Sequence, residues 1–301
     1  MLLYVLESKG SSPGRRGFHM AVSADGGFHG TIGGGIMEYK FVEMARAKLM
    51  ENTTANTVLK QVHDKAAAQE QSGMICSGEQ TIYLYKVRSE DAPHIASMAG
   101  SLSEYRNGTL RLSNDGIVFT ENIPAQDFYF EQDANGRFLY IEKTGLKNRL
   151  FIIGGGHCGY ALSKMMYGMD FYITLIDERH SLNTIAENNF VHEKKFVNAY
   201  TETGVLIEGG ENVYVVIMTV GYRTDELVLQ SLAGKDFKYM GMLGSLNKIR
   251  KMMADEQLEI PRQMSLDKLH APVGLQIKSQ TAQEIAVSIA AEIIAVKNKD
   301  Q

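Results

Sequence analysis

Short apolar runs alternate with amphipathic stretches along the chain, and the rhythm changes once, around Gly145 to Arg149. In the first half, Leu2 to Leu6 and His19 to Ser23 read as strands separated by a loop of glycine, serine and arginine. The turn signal Asp25-Gly26-Gly27 and the loop Gly30-Thr31-Ile32-Gly33-Gly34-Gly35 follow. Met37, Phe41, Met44 and Lys48 then recur at helical spacing, which predicts an amphipathic helix over 36–51. Thr81 to Val87 alternates as a strand does. The stretch from Ser89 to Lys147 predicts one helix and several short strands, with turns at Asn107-Gly108, Asp115-Gly116 and Asn135-Gly136.

Beyond the change, strand and helix patterns succeed one another. Leu150 to Ile153 has the continuous apolar character of a buried strand, 157–168 suits a helix, and Phe171 to Ile176 is a second strand. A third strand is expected over Phe196 to Tyr200 and a fourth over Val213 to Val220, followed by a helix over Thr224 to Leu232. A strand over Tyr239 to Leu243 and a helix over Ser245 to Glu256 come next. The last helix should run from Thr281 to Lys297, because Thr281 and Glu284 have the spacing of a capping box. Strands alternating with helices of this length imply a doubly wound parallel sheet.

The strongest local motif, Gly154-Gly155-Gly156-His157-Cys158-Gly159, lies where the first of these strands meets its helix. Glycines at 154, 156 and 159 match G-x-G-x-x-G. The first permits a tight turn, the second lets a pyrophosphate approach the backbone, and the third lets helix and strand close. Helix-start N–H groups such as that of His157 would face the phosphates. Asp177 falls about 20 residues beyond the motif, where a ribose-binding carboxylate belongs. Arg179 complicates cofactor choice, since a guanidinium accepts a 2′-phosphate that Asp177 would repel. The competing reading is an empty loop whose glycines serve packing alone. The expected fold class is therefore α/β: an α+β N-terminal domain over 1–148, strand-rich at about 89–147, then a Rossmann-type domain over 149–301.

Composition removes several function classes. The chain has 301 residues, 44% apolar and 22% charged, with a net charge of −4, so no basic excess marks a nucleic-acid binder. Met1 to Leu6 is too short for a signal core, and no apolar run reaches the length of a membrane span. Only Cys76 and Cys158 are present, which fits a reducing compartment, the cytosol by default. The cysteines and eight histidines show no zinc-type spacing. The sequence points to binding sites more clearly than to a reaction.

The first half offers two candidate anion sites. Arg15 and Arg16, in Gly10-Ser11-Ser12-Pro13-Gly14-Arg15-Arg16-Gly17, present guanidinium forks suited to phosphate or carboxylate, or else form an exposed turn. Gly33, Gly34 and Gly35 lead into a helix and form a second cradle, with Glu38 in the first helical turn. Without a following Gly-Lys-Ser/Thr this is not a Walker A loop. Cys76 is either a thiolate ligand for a soft metal or a buried structural thiol. Cys158, beside a helix start, is either an activated thiol or, the commoner case, a small packed one.

Together these segments resemble the XdhC/CoxI family, accessory proteins of molybdenum hydroxylases such as xanthine dehydrogenase. Gly10-Ser11-Ser12-Pro13, Gly30 to Gly35 with Glu38, the glycine fingerprint with His157, and Asp177-Glu178-Arg179 all match family patterns. So do Gly241-Met242-Leu243-Gly244-Ser245 with Lys248, Pro272-Val273-Gly274-Leu275, and Glu284 to Glu292. The resemblance implies a cytoplasmic homodimer that binds molybdenum cofactor, as molybdopterin or its dinucleotide form. It would assist sulfuration with a cysteine desulfurase and deliver the cofactor to a xanthine dehydrogenase-like hydroxylase. It also implies Cys76 as a metal ligand. Cys76-Ser77-Gly78 departs from the family's Cys-Gly-Gly, and Thr219-Val220-Gly221 lacks the histidine expected after this threonine. The alternatives are an NAD(P)-dependent oxidoreductase and a dinucleotide-sensing regulator.

Overall fold

The computed structural model describes residues 1–51, 56–62, 78–245, 247 and 269–299. The chain divides into two compact units, Met1–Gly145 and Leu146–Gln301.

The first unit is built on a five-stranded antiparallel sheet of order β3-β2-β1-β5-β4. Its strands are β1 (Leu2–Gly10), β2 (His19–Val22), β3 (Phe28–Gly30), β4 (Thr57–Val62) and β5 (Gly78–Tyr85). Side chains alternate across a strand, so a sheet covered on both faces needs apolar residues at consecutive positions. The two central strands, β1 and β5, meet that demand. Leu3, Val5, Ile82 and Leu84 face α1 (Gly35–Met50), whose Met37, Phe41, Val42 and Ala45 pack on them. Tyr4, Leu6, Tyr83 and Tyr85 face the other way, onto Leu110, Leu112, Ile117, Phe138 and Tyr140. Those residues belong to a four-stranded antiparallel sheet of order β7-β6-β9-β8. It comprises β6 (Gly108–Ser113), β7 (Gly116–Thr120), β8 (Phe128–Gln132) and β9 (Phe138–Thr144), and α2 (Ala92–Ser103) precedes it.

The second unit is a six-stranded sheet of order β12-β11-β10-β13-β14-β15, parallel throughout. Its strands are β10 (Asn148–Ile153), β11 (Phe171–Asp177), β12 (Glu193–Phe196), β13 (Gly210–Ile217), β14 (Phe237–Met242) and β15 (Leu269–His270). In sequence order within the unit this is 3-2-1-4-5-6, the doubly wound dinucleotide-binding arrangement. Alternate residues of β10 enter opposite cores. Leu150 and Ile152 pack with α3 (His157–Met166) and the C-terminal helix α7 (Ala282–Lys297), while Phe151 and Ile153 pack with α6 (Tyr222–Ser231). Short helices α4 (Asn183–Ala186) and α5 (Thr203–Leu206) lie in the connections. The capping box starts α7: Glu284 N–H donates to Thr281 Oγ1 at 3.2 Å and Thr281 N–H to Glu284 Oε2 at 3.1 Å.

The α/β class and the parallel second sheet agree with the sequence reading. The third strand does not sit where expected. It covers Glu193–Phe196, and Tyr200 begins a short 3-10 turn. As an edge strand, β12 pairs among the described residues only with β11 and can be charged, whereas the apolar Val197 and Tyr200 are buried from the turn that follows. In α1 the buried set includes Val42 and Ala45, while Met44 is exposed. The expected helix over Ser245 to Glu256 lies outside the described residues, apart from Ser245 and Asn247.

Candidate functional site

The turn after β10 sits at the carboxyl end of the sheet, beside β13, where the strand order reverses and α/β proteins hold their ligands. Its glycines answer to different constraints. Gly154 has φ +118°, and a Cβ there would stand 2.3 Å from the Met218 carbonyl oxygen. A Cβ at Gly159 would lie 2.2 Å from the Gly154 carbonyl oxygen, and one at Gly155 would strike Ile185. Gly156 is different. Its φ of −70° suits any residue, and a Cβ would meet nothing within 4 Å. Among the described residues nothing demands glycine at 156, yet its absent side chain leaves open space directly before a helix.

Gly156 is the N-cap of α3 and provides no side-chain cap. Among the described residues, no protein acceptor takes the N–H groups of Gly156, His157 or Cys158. Together with the α3 dipole they form a partial positive charge facing that space. This donor set fits a phosphate. His157 is exposed and positioned at the helix start. Cys158 packs against the core, and burial raises its pKa above the ordinary thiol value.

Asp177 ends β11 and is buried. Its Oδ2 accepts the Gly155 N–H at 2.6 Å, and its Oδ1 accepts the Arg179 N–H at 2.8 Å. The Arg179 guanidinium closes the arrangement, Nε to Oδ1 at 2.8 Å and Nη2 to Oδ2 at 2.7 Å. Burial alone would raise this carboxyl, but Arg179 and the two N–H groups outweigh it and hold the pKa below the usual range. The acid placed by spacing for a ribose thus steadies the glycine turn and holds Arg179. Thr184 Oγ1 adds a bond to the Gly155 carbonyl at 2.6 Å. Sequence reasoning missed Thr184, because a hydroxyl in an irregular connection carries no spacing signal.

Across the switch point, Gly221 is the N-cap of α6 with φ +109°. Buried Asp225 accepts from Thr219 N–H at 3.2 Å and Thr219 Oγ1 at 2.5 Å, which fixes the loop after β13. Val220, where the resemblance calls for histidine, is exposed. The C-terminal motifs meet at Glu292: Oε2 accepts from Tyr239 OH at 2.6 Å and Gly274 N–H at 2.8 Å, and Oε1 lies 3.1 Å from His270 Nδ1. This ties α7 to β14 and β15. Lys248 lies outside the described residues.

In the first unit, the Gly30 to Gly35 cradle holds the chain's own carboxylate. Glu38 Oε2 accepts from Ile32 N–H at 2.9 Å, Gly34 N–H at 3.0 Å and Thr31 Oγ1 at 2.6 Å. Burial opposes ionisation of Glu38, but these donors prevail and lower its pKa. Gly33, at φ +125°, lies against the backbone of Pro13 and Gly14, so this loop and the Gly10 to Gly17 loop are packed together. Gly34 and Gly35 also have positive φ. Arg15 is exposed and donates to the Gly10 carbonyl at 3.2 Å; Arg16 lies over the Phe128 ring. Cys76 lies outside the described residues, within which no three His, Cys, Asp or Glu side chains form a metal-binding group.

The described geometry puts a dinucleotide-type turn in the second unit and two interlocked glycine loops in the first. Family comparison matches both regions: residues 150–293 to the XdhC Rossmann domain and residues 1–61 to the XdhC and CoxI family. The chain belongs to the XdhC/CoxI family. Among the relatives of this XdhC/CoxI chain is the uncharacterized protein YqeB of Escherichia coli K12, 25% identical over 298 residues. That alignment covers 98% of this chain but only 43% of YqeB, so the chain spans less than half of that relative. A probable xanthine dehydrogenase subunit from Bacillus subtilis 168 is 22% identical over 321 residues, covering 99% of this chain and 93% of that protein. The crystal structure of a xanthine dehydrogenase from Bacillus halodurans superposes with a TM-score of 0.71 at 23% identity, covering 100% of this chain and 92% of the other. At that identity it establishes the fold. No described helix is long and apolar enough to cross a membrane.

Proposed function

We propose that this chain is an accessory protein of a xanthine dehydrogenase-like molybdenum hydroxylase, binding molybdenum cofactor through its second unit. The observation that carries the proposal is Gly156, whose missing side chain opens the N-terminus of α3 to a phosphate while nothing among the described residues requires glycine there. Membership of the XdhC/CoxI family and the name of the Bacillus subtilis relative support the hydroxylase partner. Molybdopterin carries a phosphate, and its dinucleotide forms a pyrophosphate; either meets the α3 donors.

In this reading the protein supplies binding and protection, and the bound group supplies the molybdenum chemistry. The N–H groups of Gly156, His157 and Cys158 hold phosphate. Asp177 keeps the Gly155 peptide and Arg179 fixed, so the turn is preorganised before ligand arrives. Thr219 and Asp225 fix the opposite loop. The proposal extends to a cytoplasmic homodimer that cooperates with a cysteine desulfurase during sulfuration, with Cys76 as a metal ligand.

Mass spectrometry of small molecules released from the purified protein tests the proposal. A molybdopterin species supports it. NAD(P), accompanied by substrate-dependent turnover, would replace it with an oxidoreductase, the other reading that the 3-2-1-4-5-6 strand order supports.

A further inference from the structure

The helix α1 is apolar on two opposite faces. Met37, Phe41, Val42 and Ala45 enter the core against the sheet. A helix resting on a sheet ordinarily turns charged and polar side chains to solvent on its other side. On α1 that exposed side carries Ile36, Lys40, Glu43, Ala47 and Met50. Ile36 is 60% and Met50 80% exposed. Alternating steps of four and three residues set these side chains in one stripe, the spacing of a helix–helix seam. Tyr39, 65% exposed, flanks the stripe on one side and the exposed Met44 on the other.

The neighbouring edge of the sheet continues this surface. Arg46 Nη2 donates to the Gly26 carbonyl at 2.6 Å, which holds the turn between β2 and β3 against α1. Phe28 is exposed and pairs with Val22, whose side chain lies in the core under α1. Directly opposed cross-strand residues share a face, so Phe28 stands on the α1 side of the sheet. Contiguous exposed apolar surface of this kind marks interaction sites on folded proteins.

Two charges in the stripe say what covers it. Lys40 and Glu43 are exposed, opposite in sign and one helical turn apart. Among the described residues Lys40 has no carboxylate partner. Glu43 Oε1 accepts from Arg46 Nη1 at 2.7 Å, and its Oε2 has no donor among the described residues. A two-fold axis sets residue i against residue j and j against i, so a stripe with both signs can be complementary to itself.

We propose that α1 pairs antiparallel with α1 of a second copy of this chain, about an axis passing between Lys40 and Glu43. Lys40 then meets Glu43 of the partner subunit, and Glu43 meets Lys40 of the partner subunit. Ile36 packs on Ala47 of the partner subunit at each end of the seam. A parallel pair sets lysine against lysine and glutamate against glutamate. Sliding the antiparallel pair by one heptad sets Lys40 against Met50 or Ile36 of the partner subunit, with both charges unpaired. Polar residues within an apolar seam fix register in this way. The interface gives the homodimer proposed above its contact surface and rests on that reading; cofactor binding does not enter.

Sedimentation of the intact chain over a range of concentrations tests the interface. The expected result is a dimer whose dissociation constant rises at least roughly tenfold in Lys40→Glu and in Glu43→Lys, because each change is felt twice about the axis. The double variant Lys40→Glu with Glu43→Lys, which exchanges the charges, should return the dimer to near wild-type affinity. Ile36→Asp, in the first turn of α1 and exposed, should give a monomer that circular dichroism shows to be folded. A monomeric wild type overturns the homodimer and this interface together. A wild-type dimer that any of the three folded single variants leaves undisturbed keeps the homodimer and overturns the interface. So does a charge exchange that fails to restore the affinity lost in the single variants.

Discussion

At Gly156 φ is −70°, and a Cβ would meet nothing within 4 Å among the described residues, so a valine there enters open space. Gly156→Val should therefore leave the melting temperature nearly unchanged while abolishing phosphate-ligand binding. Gly154→Val should do the reverse. It combines a positive φ with a Cβ 2.3 Å from a carbonyl oxygen, and strain of that kind costs about 2–4 kcal/mol. Thermal unfolding and ligand titration on the two variants separate a space kept for ligand from a space kept for backbone. Asp177 has its own signature. Its pKa is depressed in the folded state, so its contribution to stability is fully present above the ordinary carboxylate range and is lost as pH falls through the lower folded value. Unfolding scans from about pH 6 to about pH 2 should show that loss in the wild type and a smaller slope in Asp177→Asn. Equal slopes would mean that the Arg179 pair contributes nothing.

At the scale of elements, two carboxylates anchor helix starts in different ways, and only one was legible from sequence. Thr281 and Glu284 form the capping box that their spacing announces. Thr281→Ala should cost about 1 kcal/mol, measured by denaturant unfolding. Glu38 reads from sequence as a helix-dipole residue, but its carboxylate reaches back over the Thr31 to Gly34 loop and fills the cradle meant for an outside anion. Glycine content reveals that a loop can bind an anion; it does not reveal whose anion. The same limit applied to Asp177, where position matched a ribose ligand and the chain's own Arg179 took the carboxylate. The strands of the parallel sheet were legible because both faces are buried and force continuous apolar runs, as in Leu150 to Ile153. Edge strands escape that rule, which is why the apolar Val197 and Tyr200, and not the charged Glu193–Phe196, carry the strand signal. Short β3, all of it exposed, left no pattern to find.

Over the whole molecule, the two compact units meet different chemical demands. The second carries a dinucleotide-type glycine turn on a doubly wound sheet, and the first carries two interlocked glycine loops. The proposed homodimer should appear as a single dimeric mass by light scattering at micromolar concentration, and monomer alone would remove it from the account. The central claim is that the turn after β10 holds a phosphate-bearing molybdenum cofactor. It is tested most directly by releasing and identifying bound small molecules from wild type and Gly156→Val protein purified side by side, each shown to be folded by its melting curve. The expected result is a molybdopterin species in the wild type and its loss from the folded variant. A pterin retained equally by both proteins would contradict the assigned site, and folded wild type that yields no pterin even after exposure to the cofactor would contradict the function.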